Sequence, residues 1–234
     1  MPSNEISLYT ADVGSLEDPE LFLRLYQCVS EMRREKVDRV RPPRGKLLSL
    51  GAGVLLEAAL AELGLPAPRV EQDENGKPYL PNDNHFFNIS HSGTRVLCAV
   101  SDHEIGCDVE QVRAAPLRVA RRYFCSEEYQ ALLDCKNEPE RDRLFFRLWT
   151  LKESFLKAIG LGFRLPPNAF CIQIRQDAVS VRQQLDPRSF FFRSFYGADY
   201  EYALCSVELP LKEVPLTERN FQDLADLLSL RSCR

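Results

Sequence analysis

The stretch LWTLKESFLKAIGLGF, residues 148–163, decides how the rest of the chain is read. Leu148, Leu151, Phe155, Leu156 and Ile159 recur at helical spacing and predict a helix that buries one side. Lys152, Glu153 and Lys157 crowd beside that stripe, next to Trp149, the single tryptophan of the chain. Glu153 and Lys157, one turn apart, fit a surface ion pair of about 0.3–0.5 kcal/mol. They fit equally a helix that holds an anion between counter-charges. A second stretch repeats the pattern. LSLGAGVLL, residues 48–56, sets Leu50 opposite Leu151, an offset of 151 − 50 = 101. VLCAVS at 96–101 and ALCSVE at 203–208 set Cys98 opposite Cys205, an offset of 205 − 98 = 107. Two matches in one order at nearly equal offsets predict a duplicated half.

Around these anchors the chain reads as helices, strands, helices, strands, the order of an α+β unit occurring twice. Residues 16–40 predict one helix with Asp18, Pro19 and Glu20 in its first turn, broken by Pro42 and Pro43. KLLSLGAGVLLEAALAELGLP predicts the next, closed by Gly64 and Pro66. RVEQDENGKPYL, HFFNISHSG, TRVLCAVSD and EIGCDVEQV carry strand and turn signals. Helices are expected through PLRVARRYFCSEEYQALLDC and over 139–160, and strands at FCIQIRQ, AVSVRQQ, SFFFRSFYG and EYALCSVEL. A last helix is expected over 217–230 with Thr217 as its cap.

Composition narrows the function classes. The 234 residues are 44% hydrophobic and 27% charged, as in a soluble globular protein able to bury a core. Net charge is −4, so no global basic field favours nucleic acid, and an anionic ligand needs local cation clusters. No apolar run approaches the roughly 20 residues that span a bilayer. MPSNEISLYT lacks the charged-then-apolar pattern of an export signal, so a cytoplasmic protein without a membrane partner is expected. The eight cysteines, at 28, 98, 107, 125, 135, 171, 205 and 233, lie mostly among apolar neighbours and form no CxxC pair. They read as unpaired, buried thiols, and with three histidines a zinc site is not expected.

Chemistry concentrates in a few fragments. In IGCDVEQV, Asp108 and Glu110 stand two apart on a strand, so both carboxylates project from one face. Alone, the pair fits a solvated edge strand. If the helix bearing Glu153 packs against it, three carboxylates form an open site for a hard divalent cation such as Mg²⁺. Lys152 and Lys157 would then neutralise phosphate oxygens. NISHSG places Ser90 and His91 where a strand meets a turn, either as a capped turn or as phosphate contacts. NGKPYL fixes Lys77 on a tight turn between Gly76 and Pro78. The run Arg33, Arg34, Lys36, Arg39, Arg41, Arg44 and Lys46 is either a solvated face or a phosphate-binding one. No GxSxG, Walker loop or dinucleotide fingerprint is present, so a transferase reading leaves the nucleophile to a partner.

Taken in order, GKPYL, FNISHSG, IGCDVEQV, RRYFCSEEY and LWTLKESFLKAIGLGF resemble the surfactin-synthetase-type 4′-phosphopantetheinyl transferase family. The resemblance spans about residues 30–170 by motif. It implies an enzyme that transfers the phosphopantetheine arm of coenzyme A to a serine of an acyl or peptidyl carrier protein, with Mg²⁺. Adenosine 3′,5′-bisphosphate leaves. It implies an α+β fold that is a pseudodimer of two similar halves, residues 1–105 and 106–234, with the active site at their interface. Carried over by motif, Asp108, Glu110 and Glu153 hold Mg²⁺, Glu153 helps deprotonate the serine, and Lys157 stabilises the pyrophosphate with Lys152 nearby. Lys77, Pro78, Ser90 and His91 line the nucleotide end; Lys46 and Lys36, or Arg33 in place of Lys36, align more loosely. The role of Glu128 stays open. A monomer binding no nucleic acid is expected. The rivals are a non-catalytic carrier-binding module of the same fold and an unrelated Mg²⁺-dependent phosphohydrolase.

Overall fold

In SLYTAD at the N-terminus, Leu8 and Thr10 are buried on one face of an extended segment and Ala11 on the other. This strand, β1 (Ser7–Asp12), was not foreseen, and neither was its antiparallel pairing with a distant partner, Leu8 opposite Ala99. The computed structural model describes residues 6–65, 70–81, 83–176, 178–211 and 213–232. Pro66 and Cys233 therefore lie outside the described residues.

After β1 and a 3-10 turn (Val13–Glu17) come α1 (Pro19–Cys28), α2 (Glu31–Arg39) and α3 (Pro43–Glu62). The single helix expected over 16–40 is thus divided. Val29 and Ser30 are extended, and the bend between them returns both Leu25 and Val37 to the same core. Pro43 opens α3 as its first residue, where the missing N–H costs nothing. The short strands β2 (Glu71–Gln72) and β3 (Pro78–Tyr79) follow, then β4 (Phe86–Ser92) and β5 (Arg95–Ser101).

The second part runs through the same order. It consists of β6 (Ile105–Gln111), α4 (Leu117–Tyr123), α5 (Ser126–Leu133), α6 (Glu138–Ile159), β7 (Cys171–Arg175), β8 (Ala178–Arg182), β9 (Phe190–Gly197) and β10 (Tyr200–Val207). Hydrogen-bonded strand order is β1-β5-β4 in one sheet and β6-β10-β9 in the other. Each repeated segment of the sequence falls in corresponding elements, α3 with α6 and β5 with β10. Beyond the repeat, β11 (Thr217–Glu218) pairs with β1 and α7 (Phe221–Ser232) ends the description. Thr217 is therefore a strand residue and not a cap; Asn220 takes that position, its side chain accepting the Gln222 N–H at 2.7 Å.

Three apolar clusters hold this together. One surrounds α3 and takes Val96, Cys98 and Val100 from β5. A second surrounds α6 and takes Ala203, Cys205 and Val207 from β10. The alternate residues, Leu97 and Ala99 with Tyr202 and Leu204, meet in a third cluster shared by the sheets. Cys98 and Cys205, paired by the repeat, thus face their own long helices.

The cysteine expectation needs correction. Cys28, Cys98, Cys107, Cys135 and Cys205 are free, but Cys125 and Cys171 form a disulfide across 46 residues. The physical reason is Glu128. Its carboxylate accepts the Cys125 N–H at 2.9 Å and the Ile172 N–H at 2.7 Å, holding the two sulfurs' backbones to one point.

Candidate active site

Gly106 sets the geometry. A Cβ there would lie 2.1 Å from the Ser154 carbonyl oxygen and 2.4 Å from the Ala158 nitrogen, so the bare backbone of β6 lies directly on α6. Two residues on, Asp108 leaves the same face of β6, and Glu110 follows it. Both therefore meet the stripe of α6 that carries Glu153 and Lys157. Gly160, in the left-handed region at φ 73°, ends that helix.

The strands β4 and β6 are joined through side chains. Asn88 Oδ1 accepts the Cys107 N–H at 2.9 Å. Ser90 Oγ donates to Asp108 Oδ1 at 2.6 Å, and Ser92 Oγ donates to Glu110 Oε2 at 2.6 Å. Lys157 Nζ completes the cluster, donating to Asp108 Oδ1 at 2.7 Å, Ser90 Oγ at 3.0 Å and the Cys107 carbonyl at 3.1 Å. Burial would lower the Lys157 pKa, yet Asp108 raises it above the usual lysine range. Burial raises the Glu110 pKa, and Asp108 adds to that against the Ser92 hydrogen bond. Glu153 is pushed up to about 7 by burial and by the charges of Asp108 and Glu110, Lys157 opposing. Ser92 and Asn88 escaped the sequence reading, although Ser90 and Ser92 show the same two-residue spacing as Asp108 and Glu110.

Asp108 is buried, and its second oxygen, Oδ2, has no hydrogen-bond partner. Such an atom costs about 1–3 kcal/mol or more unless something meets it. Three neighbouring carboxylates, one with an orphaned oxygen, fit a hard, oxygen-preferring divalent cation. One lysine alone leaves them under-neutralised.

Beside the cluster opens a cavity of about 380 Å³, lined by α2, α3, the β2–β3 turn, β4 and the end of α6. Arg33, Lys36, Lys77, Pro78 and Lys157 reach it, as do Leu56 and Leu156. Lys77 Nζ donates to the Ala158 carbonyl at 2.9 Å, tying the turn to the end of α6; burial lowers its pKa. His91 stands on the other face of β4 from Ser90. Exposed at its outer edge, it is still surrounded by enough protein, and lies near enough to Lys157, for its pKa to fall below the usual range. Lys46, in the first turn of α3, does not line the cavity.

Lys152 requires a correction. It is 1% exposed and faces away from the cavity, donating to both Glu128 oxygens at 2.7 and 2.8 Å and to the Phe170 carbonyl at 2.9 Å. Successive helical residues are about 100° apart, so Lys152 and Glu153 face different surroundings. Glu128, left open above, is the partner that makes Lys152 a tie between α5, α6 and β7. Gly51 leaves room for Val13 and Phe221, and Gly53 for the stem of Arg33.

Residues 104–205 match the family described as the 4′-phosphopantetheinyl transferase superfamily. The 4′-phosphopantetheinyl transferase Sfp of Bacillus subtilis strain 168 is 32% identical over 217 residues, 90% of this chain and 94% of that protein. A further 4′-phosphopantetheinyl transferase of Bacillus subtilis is 35% identical over 187 residues, 77% of this chain and 82% of that one. Among solved structures, a holo-(acyl-carrier-protein) synthase from Bacillus anthracis str. Ames aligns with a TM-score of 0.40 at 12% identity, covering 44% of this chain and 94% of that one. The chain belongs to the 4′-phosphopantetheinyl transferase superfamily and is similar to its Sfp-type members.

Proposed function

We propose that this transferase performs its reaction where β4, β6 and α6 meet, moving the 4′-phosphopantetheine group of coenzyme A to a serine of an apo acyl or peptidyl carrier protein. The observation that carries the site assignment is Asp108, with one oxygen held by Ser90 and Lys157 and the other unpartnered beside Glu110 and Glu153. Asp108, Glu110 and Glu153 would hold Mg²⁺, which when bound offsets charge on the pyrophosphate.

The chain's own groups account for the remaining tasks. Lys157, charged and anchored at three points, presents a fixed positive centre to the pyrophosphate. Lys77, Pro78, Arg33 and Lys36 line the cavity that takes the nucleotide end. His91 does not line it, and would contact the phosphates from its place near Lys157. Glu153, directly or through water, would accept the serine hydroxyl proton as the Oγ–P bond forms, the pyrophosphate P–O bond breaks and adenosine 3′,5′-bisphosphate departs. The carrier supplies the nucleophile, so the chain needs none.

On the same reading, 1–105 and 106–234 each contain one copy of an α+β half, related by a pseudo-twofold axis, with β11 and α7 outside the repeat and packed on the first half; the repeated element order and strand order support this. The chain acts as a cytoplasmic monomer without nucleic acid or membrane. No described helix is long and apolar enough to cross a membrane. Incubation with coenzyme A, Mg²⁺ and an apo carrier tests the function. A carrier mass gain of roughly 340 Da, one phosphopantetheine, is expected. Carrier binding without mass gain would indicate the non-catalytic module, and coenzyme A cleavage without carrier labelling a hydrolase.

A further inference from the structure

Of the elements that reach the cavity, α2 has little apolar anchorage of its own. Val37 is its single buried residue, and Ser30, at its N-cap, makes no side-chain cap. Yet α2 carries Arg33 and Lys36, two of the cavity's cations. Tyr26 of α1 donates to Asp38 at 2.8 Å, and the holds nearest Arg33 come from α3. At Gly53 a Cβ would lie 2.6 Å from Cγ, Cδ and Nε of Arg33, so the arginine stem rests in a slot that any side chain would fill. One turn further along α3, Glu57 accepts the N–H of Ser30 itself at 3.3 Å, fixing the N-cap backbone of α2 from outside. Its carboxylate also acts on Arg33. Burial pulls the Arg33 pKa down, and the Glu57 charge opposes that.

We propose that Glu57 and the slot at Gly53 are positioning groups that fix Arg33 and Lys36 over the cavity, and so set the affinity for the phosphate-bearing end of coenzyme A. The inference rests on the cavity being the coenzyme A site. Neither group touches the carboxylate cluster, so their effect is confined to cofactor binding. A negative charge beside an anion site would by itself weaken binding. Its presence is explained by what it holds, the start of α2 and the arm of Arg33.

Steady-state kinetics of the full chain, with coenzyme A and carrier varied separately, test this. Glu57→Ala and Gly53→Ala should each raise the KM for coenzyme A about tenfold, with kcat and the carrier KM within about twofold. Glu57→Gln keeps an acceptor for the Ser30 N–H and should recover most of the loss. An unchanged or lowered KM in Glu57→Ala overturns the proposal, the lowered value meaning that Glu57 merely repels the ligand. Lys77→Ala run in parallel separates the two levels. If it raises the KM and Glu57→Ala does not, the cavity assignment stands and the positioning role falls. If neither variant moves the KM, both fall. Should Gly53→Ala fail to fold, the Glu57 pair carries the test alone.

Discussion

Replacing Gly106 by alanine puts a single methyl where β6 and α6 touch. Its Cβ would meet Ser154 O at 2.1 Å, Ala158 N at 2.4 Å and Lys157 C at 3.0 Å, all backbone atoms of one helix. No rotamer change relieves a clash with backbone, so strand and helix must separate by about 1 Å to restore contact distances. Overpacking of this kind costs about 1–3 kcal/mol. For a chain of this length each kcal/mol moves the midpoint by about 2–4 °C, so Tm should drop by roughly 2–12 °C. The same shift carries Asp108 and Glu110 away from Glu153 and Lys157. A misplacement of about 1 Å at a reacting centre costs about a hundredfold in rate. Thermal unfolding and the rate of carrier labelling read the two effects separately. Gly197→Ala is the control, because a Cβ there meets nothing within 4 Å. A Gly106→Ala protein that melts with its parent and labels carrier within about threefold of the parental rate would refute the reasoning.

Asp108→Ala should abolish transfer and the response to Mg²⁺ while leaving a cooperative unfolding transition; near-normal turnover would remove Asp108 from the site. Lys152→Met leaves Glu128 buried without its cation and should cost about 3–5 kcal/mol in denaturant unfolding, whereas pairing it with Glu128→Leu should return part of that loss. Reducing the Cys125–Cys171 disulfide, which closes 46 residues, should lower stability by about 4 kcal/mol in the chain-entropy account, and a Cys125→Ser, Cys171→Ser protein should no longer respond to reductant. Titration should give one coenzyme A per chain. The repeat sets Ala52 opposite Glu153 and Leu56 opposite Lys157, so the first half lacks the charges for a second pyrophosphate site; a stoichiometry of two would contradict the duplication.

Much of the fold was legible because the long helices announce themselves by period. Leu148, Leu151 and Phe155 fix α6, and the LSL and VLC repeats place α3, β5 and β10 in their proper order. The carboxylates were equally readable, since alternation along β6 puts Asp108 and Glu110 on one face whatever covers it. What failed depended on distant partners. The strand at Ser7–Asp12 offers few apolar residues and is defined by β5. The bend at Val29 and Ser30 comes from two helices sharing one core. Lys152 was assigned to the ligand because it neighbours Glu153 along the chain, whereas helical geometry separates them in space. The disulfide joins residues no spacing rule connects, and Glu57 gains its meaning from a backbone N–H at the start of the preceding helix.

The seam between β4 and β6 has a consequence for the chain as a whole. Asn88, Ser90 and Ser92 belong to the part of the sequence before the turn at 102–104, while Cys107, Asp108 and Glu110 belong to the part after it. The acids therefore find their hydroxyl partners only when both parts are in register. Were the chain severed at that turn, neither polypeptide would hold a working cluster, and labelling of the carrier would report their reunion. A ligand spanning the two would favour reunion by mass action, about 2.7 kcal/mol at a hundredfold excess over its Kd. Such a severed pair would behave as a split reporter, its signal a covalent tag left on a third protein.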